Sequence, residues 1–180
     1  MEIKELINEI NRYAPSVDQI IAKRLSRNIP VTPLEAETIR DGFRLAYLTT
    51  EAVRGKLDDL IYNTNIKYIG TGGVEFDSEI SLEADVYRCF ASYNYYNEFC
   101  QRLTDMKIVV LDRETLLEGG VISESLDQFF YFLCLLTNYD RNVIYGVALN
   151  DRFLENVEEL IRAGVSKKWV KILMPTLPLV

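Results

Sequence analysis

Histidine is absent from this chain of 180 residues, and its absence removes several classes of active site. Without imidazole there is no Ser-His-Asp or Cys-His nucleophile, no histidine-ligated zinc or iron, and no histidine pH switch. A haem held by a proximal histidine is excluded for the same reason. The sequence predicts no bound cofactor and favours a function other than catalysis.

Cysteine and long apolar segments are also scarce. Cys89, Cys100 and Cys134 are the three cysteines, and they form no Cys-x-x-Cys pair. They are interpreted as free buried thiols in a reducing compartment. The longest apolar run, Phe129–Leu136, falls well short of the ~20 residues that cross a bilayer, so it predicts a buried helix. The first residues lack the pattern of a secretory signal, and we expect a cytoplasmic protein without membrane contact.

Positive charge is in deficit, with 20 Lys and Arg against 27 Asp and Glu and a net charge of -7. Residues 63–122 carry 5 basic and 10 acidic side chains, so the acidity lies in the middle third. A broad nucleic-acid surface needs the opposite balance. One alternative function, a nucleic-acid-associated accessory protein, remains open through a local basic patch. Its members are Lys23, Arg24, Arg27, Arg40 and Arg44.

The first half of the chain reads as mostly helical. Ser16 with Gln19 is a capping box, and Thr32-Pro33 with Glu35 is the strongest helix start, because it joins an N-cap, a first-turn proline and a capping glutamate. Apolar residues then recur every three to four positions, which predicts one long helix over 32–62. A β-hairpin over 66–77, with glycines in its turn, and a Tyr-rich helix over 81–103 are predicted to follow.

The second half predicts alternating strands and helices. Strands are expected at 107–111 and 142–149, helices at 123–137 and from Asn150 or Asp151 to Gly164, and a strand or last helical turn at 168–174. This order indicates βαβ units and a small parallel sheet of about three strands. The predicted fold is a mainly helical α+β protein. It has a helical region, 1–104, and an α/β region, 105–180, packed as one unit.

Acidic side chains stand at the predicted strand ends, where parallel sheets bind ligands. Asp112 and Glu114 follow one strand and Asp151 follows the next. If they converge, they suit Mg²⁺ or Mn²⁺, which would make the chain a metal-dependent hydrolase or nuclease. The competing interpretation is that such residues cap the helices that follow.

Tyrosines mark the predicted helix over 81–103. Tyrosine combines a large apolar ring with a polar tip, so such residues either pack in the core or, because tyrosine is enriched at protein interfaces, contact another protein. We therefore predict, as the leading function, a non-enzymatic interaction or assembly protein that self-associates or joins a larger complex. The residues predicted to make its contacts are Tyr87, Tyr93, Tyr95, Tyr96 and Trp169.

Overall fold

The computed structural model describes residues 1–69 and 71–179, which form seven α-helices and one antiparallel sheet of five strands. The helices are α1 (Ile3–Arg12), α2 (Val17–Leu25), α3 (Pro33–Asp41), α4 (Lys56–Asn63), α5 (Leu126–Tyr145), α6 (Asp151–Arg162) and α7 (Lys167–Leu173). A short 3₁₀ helix, Ile66–Tyr68, precedes the sheet. The strands are β1 (Val74–Glu83), β2 (Tyr87–Tyr93), β3 (Asn97–Arg102), β4 (Ile108–Asp112) and β5 (Glu118–Ser123).

The sheet is a meander, in which each strand pairs with the next along the chain in the order β1-β2-β3-β4-β5. All four strand pairs are antiparallel. The predicted parallel sheet of βαβ units is therefore wrong. Short turns join neighbouring strands, and antiparallel strands need no crossover helix between them.

Helix α5 packs against one face of the sheet and carries the centre of the core. The ring of Phe129 makes edge-on contacts with Phe90 of β2 and with Phe99 of β3, at centroid distances of 5.5 and 6.2 Å. The main core runs from Ile3 in α1 to Leu177 after α7. The predicted division of the chain near residue 104 stays a prediction.

The Tyr-rich segment 81–103 is not a helix but the end of β1, all of β2 and all of β3. A β-bulge in β2 explains the misleading pattern. The register shifts by one residue between Cys89 and Ala91, so both Phe90 and Ala91 reach the main core. An extra residue in a strand turns a spacing of two into a spacing of three, which resembles one helical turn.

Three other predicted elements are corrected. The long helix over 32–62 is two short helices, α3 and α4, and Gly42 and Gly55 mark the end of the first and the start of the second. The predicted strand over 142–149 begins as the last turn of α5, which ends at Gly146 with φ of 68°, a left-handed C-terminal cap. For segment 168–174 the sequence left a strand or a helical turn open, and the helical alternative is correct, since α7 runs over Lys167–Leu173. In the predicted hairpin over 66–77 only the part from Val74 is strand, and Gly70 lies outside the described residues.

The helix caps predicted from short motifs are confirmed. The Ser16 and Gln19 pair and the Thr32 and Glu35 pair each form both bonds of a capping box. Asn150 caps α6 by accepting a hydrogen bond from the backbone N–H of Phe153 at 2.9 Å. No described helix has the length and apolarity that a membrane crossing requires.

The opposite face of the sheet carries a second, smaller core. Cys89 and Cys100 pair directly across β2 and β3 and form a disulfide. Val109 and Leu111 of β4 bury themselves against it. The prediction of free thiols is wrong for these two residues, because the sheet register places them side by side. Cys134 is free and buried in the main core.

Candidate interaction surface

Two turns lie side by side at one end of the sheet. The β2–β3 turn and the β4–β5 turn are adjacent because Asn97, at the start of β3, pairs with Asp112, at the end of β4. The backbone N–H of Arg113 donates a hydrogen bond of 2.8 Å to the carbonyl of Tyr96, which ties the turns together. We call residues 94–98 and 112–117 the hairpin-tip surface.

Large apolar side chains project from this surface. Tyr95 is 71% exposed and Leu117 is 69% exposed, and Tyr96 and Leu116 are also exposed. The two tyrosine rings meet edge to face with 5.5 Å between centroids. Single exposed apolar residues are ordinary, whereas a contiguous group is a mark of an interaction site.

The backbone beneath these side chains adopts a conformation that bulky residues rarely occupy. Asn94, Tyr95 and Leu116 have φ of 51°, 66° and 55°. Asparagine tolerates the left-handed region, but a tyrosine or leucine there costs roughly 1–2 kcal/mol. The β1–β2 turn at the other end of the sheet has the same conformation at Ala84 and Asp85. The turn therefore does not require an aromatic side chain.

An ion pair and a cation–π contact hold the tip in place. Nε of Arg113 lies 2.8 Å from Oε1 of Glu98, a carboxylate that is almost fully buried on the sheet. The guanidinium of Arg113 also lies over the ring of Tyr95, 5.5 Å from its centroid. Arg113 thus links the turn that carries it to both strand β3 and the neighbouring turn.

Asp112 fixes the second turn. Its Oδ1 accepts hydrogen bonds from the backbone N–H of Glu114 at 3.1 Å and of Thr115 at 2.8 Å. The hydroxyl of Thr115 donates to the same oxygen at 2.8 Å. The Thr115 hydroxyl bond, followed by the backbone bonds, lowers the pKa of Asp112 below its usual value. The carboxylate is therefore occupied in shaping the turn that presents Leu116 and Leu117.

The hairpin-tip surface is acidic. Among residues 94–98 and 112–117 there are three carboxylates and one guanidinium, which gives a net charge of -2. Asp77 of β1 adds to this, and burial, followed by repulsion from Glu98, raises the pKa of Asp77. Exposed apolar side chains and negative charge thus share one end of the sheet.

The remaining predicted contact residues lie elsewhere. Tyr87 is half-buried on β2, and its hydroxyl lies 3.4 Å from a carboxylate oxygen of Glu118. Tyr93 packs against the main core. Trp169 is 4% exposed and packs edge-on against Phe99. Of the five predicted residues, the structure brings Tyr95 and Tyr96 together on an open surface.

The predicted basic patch divides into two groups. Arg40 and Arg44 flank Asp41, with nitrogen–oxygen distances of 4.0 and 3.9 Å. Lys23, Arg24 and Arg27 lie at the end of α2 and in the connection to α3, in a stretch, residues 23–34, that has three basic and no acidic side chains. We call residues 23–34 the α2–α3 elbow.

The carboxylates of the predicted metal site are not brought together. Asp112 and Glu114 lie in the same turn between β4 and β5, whereas Asp151 begins α6 directly after the cap at Asn150. Across residues 1–69 and 71–179, the one set of three metal-ligand side chains in mutual reach is Cys89, Glu98 and Cys100. The two sulfur atoms of that set are bonded to each other.

A cleft of about 530 Å³ lies at the other end of the sheet, between the N-termini of α4 and α5. Its charges are largely satisfied within the chain. Arg88 of β2 pairs with the buried Asp58 of α4 at 2.7 Å, and Lys56 pairs with Asp127 at 3.1 Å. This internal pairing gives the cleft a structural role in joining α4 and α5 to the sheet.

Sequence reasoning did not single out Leu116, Leu117 and Arg113 as members of a candidate surface. The available signal was a Leu-Leu pair in a polar segment directly after a predicted strand, where turns rarely carry large apolar side chains. Comparisons with protein-family models, curated proteins and solved structures find no match to this chain.

Proposed function

We propose that this chain is a non-enzymatic assembly protein that forms oligomers through its hairpin-tip surface. The observation that carries the proposal is Tyr95, a large aromatic side chain held in solvent on a left-handed backbone. If this position served only to form a turn, glycine, asparagine or aspartate would be the more favourable residue.

Backbone strain that brings no benefit to folding is typical of binding sites. Backbone strain persists where the surrounding structure imposes it, and it clusters at functional positions. Here the two-residue turn of the hairpin imposes the positive φ, as it does at Ala84 and Asp85, and Arg113 holds the exposed ring of Tyr95 by covering one of its faces. Tyrosine and arginine are also the residue types over-represented among energetic hot spots of interfaces.

Pre-organisation supports the same function. The turn that carries Leu116 and Leu117 is closed by three hydrogen bonds to Asp112. A turn that is already ordered loses little conformational entropy on binding. The exposed side chains at the tip thus form a defined contact surface rather than a flexible loop.

Sedimentation velocity over a range of micromolar concentrations tests the proposal. The wild-type chain is expected to sediment above the monomer mass of 20.8 kDa, and the double variant Tyr95→Gly with Leu117→Ser as a monomer. Leu82→Ser is the matched control, because Leu82 is exposed to a similar degree but lies outside the tip. A wild-type chain that stays monomeric at the highest concentration would overturn the proposal.

A further inference from the structure

Among the exposed apolar regions of the chain, two have charges of opposite sign and the hairpin-tip surface is the acidic one. The other is the α2–α3 elbow, where Leu34 is 74% exposed and Leu25 and Ile29 are also exposed. The elbow has a net charge of +3 from Lys23, Arg24 and Arg27, against -2 on the tip. The whole molecule has a net charge of -7, and a second stretch with three cations and no carboxylate, residues 163–174, has none of the exposed large apolar side chains that the elbow has.

The elbow is an ordered surface with a concave centre. Its backbone turns at Asn28, with φ of 58°, and the N–H of Ile29 donates to the carbonyl of Arg24 at 3.0 Å. A groove of about 400 Å³ runs beside this turn against α3. The residues that line it are Arg24, Ile29, Pro30, Val31, Thr38 and Ile39, together with Glu35.

We infer that the hairpin-tip surface of one copy binds the α2–α3 elbow of a second copy. This inference rests on the proposed function and names the surface that receives the tip. Each surface offers exposed apolar side chains, so their contact removes apolar area from water on both sides. The groove of the elbow is concave and the tip, built from two adjacent turns, projects from the sheet.

The charges of the two surfaces favour contact between a tip and an elbow over contact between two tips or between two elbows. Two tips facing each other place like charges together, with a net charge of -2 on each side. Two elbows facing each other likewise place positive charges together. A tip against an elbow brings the exposed carboxylate of Glu114 toward the cations Arg24 and Arg27, and complementary potentials set both the rate and the specificity of association.

The contact joins different surfaces of identical chains. If two copies exchange the contact reciprocally, a closed dimer forms with two equivalent interfaces. If they do not, rings or open chains form instead. The mass of the assembly distinguishes these outcomes, and the tip-to-elbow contact is common to both.

Mixing two disabled variants tests the inference. Variant T carries Tyr95→Gly and Leu117→Ser and keeps its elbow, and variant E carries Arg24→Glu, Arg27→Glu and Leu34→Ser and keeps its tip. Each is expected to be monomeric alone, and the two mixed are expected to form a complex that contains one copy of each. Circular dichroism checks that both fold, and a Lys4→Glu chain controls for a general change of charge on another exposed helix.

The outcomes of this experiment distinguish failure of the inference from failure of the proposed function. If variant E alone associates like the wild-type chain while variant T does not, the tip is a contact surface but the elbow is not its partner, which overturns the inference only. If the mixture of T and E shows no complex, the inference is also overturned. A wild-type chain that never associates contradicts both.

Salt provides an independent readout on the wild-type chain. A contact between opposite charges weakens as ionic strength rises, because mobile ions screen the attraction. A contact between two acidic tips strengthens under the same change, because its repulsion is screened. Association that weakens several-fold between low and moderate salt supports the tip-to-elbow contact, and association that strengthens would overturn it.

Discussion

Cys89 on β2 and Cys100 on β3 stand directly opposite each other and are joined by a disulfide on the sheet face away from α5. The bond covers the outer side of the same two strands that carry Phe90 and Phe99 into the main core. Three further residue pairs of the same hairpin separate it from the β2–β3 turn, which presents Tyr95 and Tyr96. The disulfide thereby fixes the register of the hairpin on which the proposed contact surface stands.

Removal of this bond is expected to destabilise the chain. Replacing both Cys89 and Cys100 by alanine should lower the free energy of unfolding by about 2–3 kcal/mol, since the bond restricts the unfolded chain across a sequence separation of 11 residues. Denaturant unfolding measures the change, and treating the wild-type chain with a reductant should lower its stability similarly.

Thiol counting provides the control for that experiment. The denatured, unreduced chain should show one reactive thiol, that of Cys134, and three after reduction. In the folded chain burial raises the pKa of the Cys134 thiol to about 12, so alkylation should be slow before denaturation. Three thiols in the unreduced chain would show that the bond is absent.

The ion pair between Arg88 and Asp58 should contribute more to stability than pairs on the surface. Arg88→Met leaves the carboxylate of Asp58 buried without its partner, and Oδ2 of Asp58 has no hydrogen bond even in the intact structure. We expect a loss of about 2 kcal/mol in the free energy of unfolding. The matched control is Arg162→Met, which removes an exposed pair with Glu158 and should cost less than about 0.5 kcal/mol. Equal losses in the two variants would contradict this account.

The charged carboxylate of Asp77 is expected to lower the free energy of unfolding at neutral pH. Burial raises the pKa of its carboxyl group, and the nearby Glu98 and Glu75 add to the increase while Arg113 opposes it. Because the folded-state pKa lies above that of the unfolded chain, the charged form is disfavoured by folding. The penalty is present above the folded-state pKa and disappears when the pH falls below the unfolded-state pKa.

Asp77→Asn is therefore expected to raise the melting temperature at pH 7 and to leave it unchanged near the acid end of the stable range. Thermal melts across that range measure the difference. Glu155→Gln, on an exposed position of α6, serves as the control for the loss of one negative charge. A stabilisation that grows toward low pH would have the wrong sign.

Tyr95 should lower stability while it supports association. Tyr95→Gly removes the side chain from a left-handed backbone position, and we expect the free energy of unfolding to rise by up to about 1 kcal/mol while oligomers are lost. Met106 is the matched control, because it is also exposed and has φ of 62° in the turn between β3 and β4. Met106→Gly should stabilise the chain by a similar amount without affecting association. Loss of stability in Tyr95→Gly would contradict the assignment of strain.

The helical caps could be predicted from the sequence because they depend on local hydrogen bonds. Ser16, Thr32 and Asn150 each satisfy backbone N–H groups within three residues, and no distant contact is needed. The antiparallel sheet could not be predicted so easily. The β1–β2 and β2–β3 turns use Ala84–Asp85 and Asn94–Tyr95, without the glycine or proline that usually marks a hairpin.

The bulge in β2 also obscured the strand pattern in the sequence. By bringing both Phe90 and Ala91 to the core, it broke the alternation that identifies a strand and gave an aromatic spacing of three. The same error concealed the disulfide, since on a helix Cys89 and Cys100 would lie about three turns apart. Pairing of two cysteines across strands depends on register, which is a non-local property.

The sequence could suggest which residue type would make up the candidate surface, but not which elements would carry it. The number of tyrosines in 81–103 favoured an interaction function, and the structure places Tyr95 and Tyr96 in solvent on a turn rather than on a helix. Leu116 and Leu117 join them because β4 pairs with β3, a contact that no local pattern reveals. Trp169 is buried because α7 packs onto the sheet beside Phe99.

A dilution series followed by amide NMR tests the central claim most directly, because it maps the contact without any substitution. The claim predicts that resonances of residues 94–98 and 112–117 shift with concentration, together with those of the α2–α3 elbow, while residues in the cleft between α4 and α5 do not shift. Spectra that are independent of concentration, or shifts confined to other parts of the chain, would contradict it.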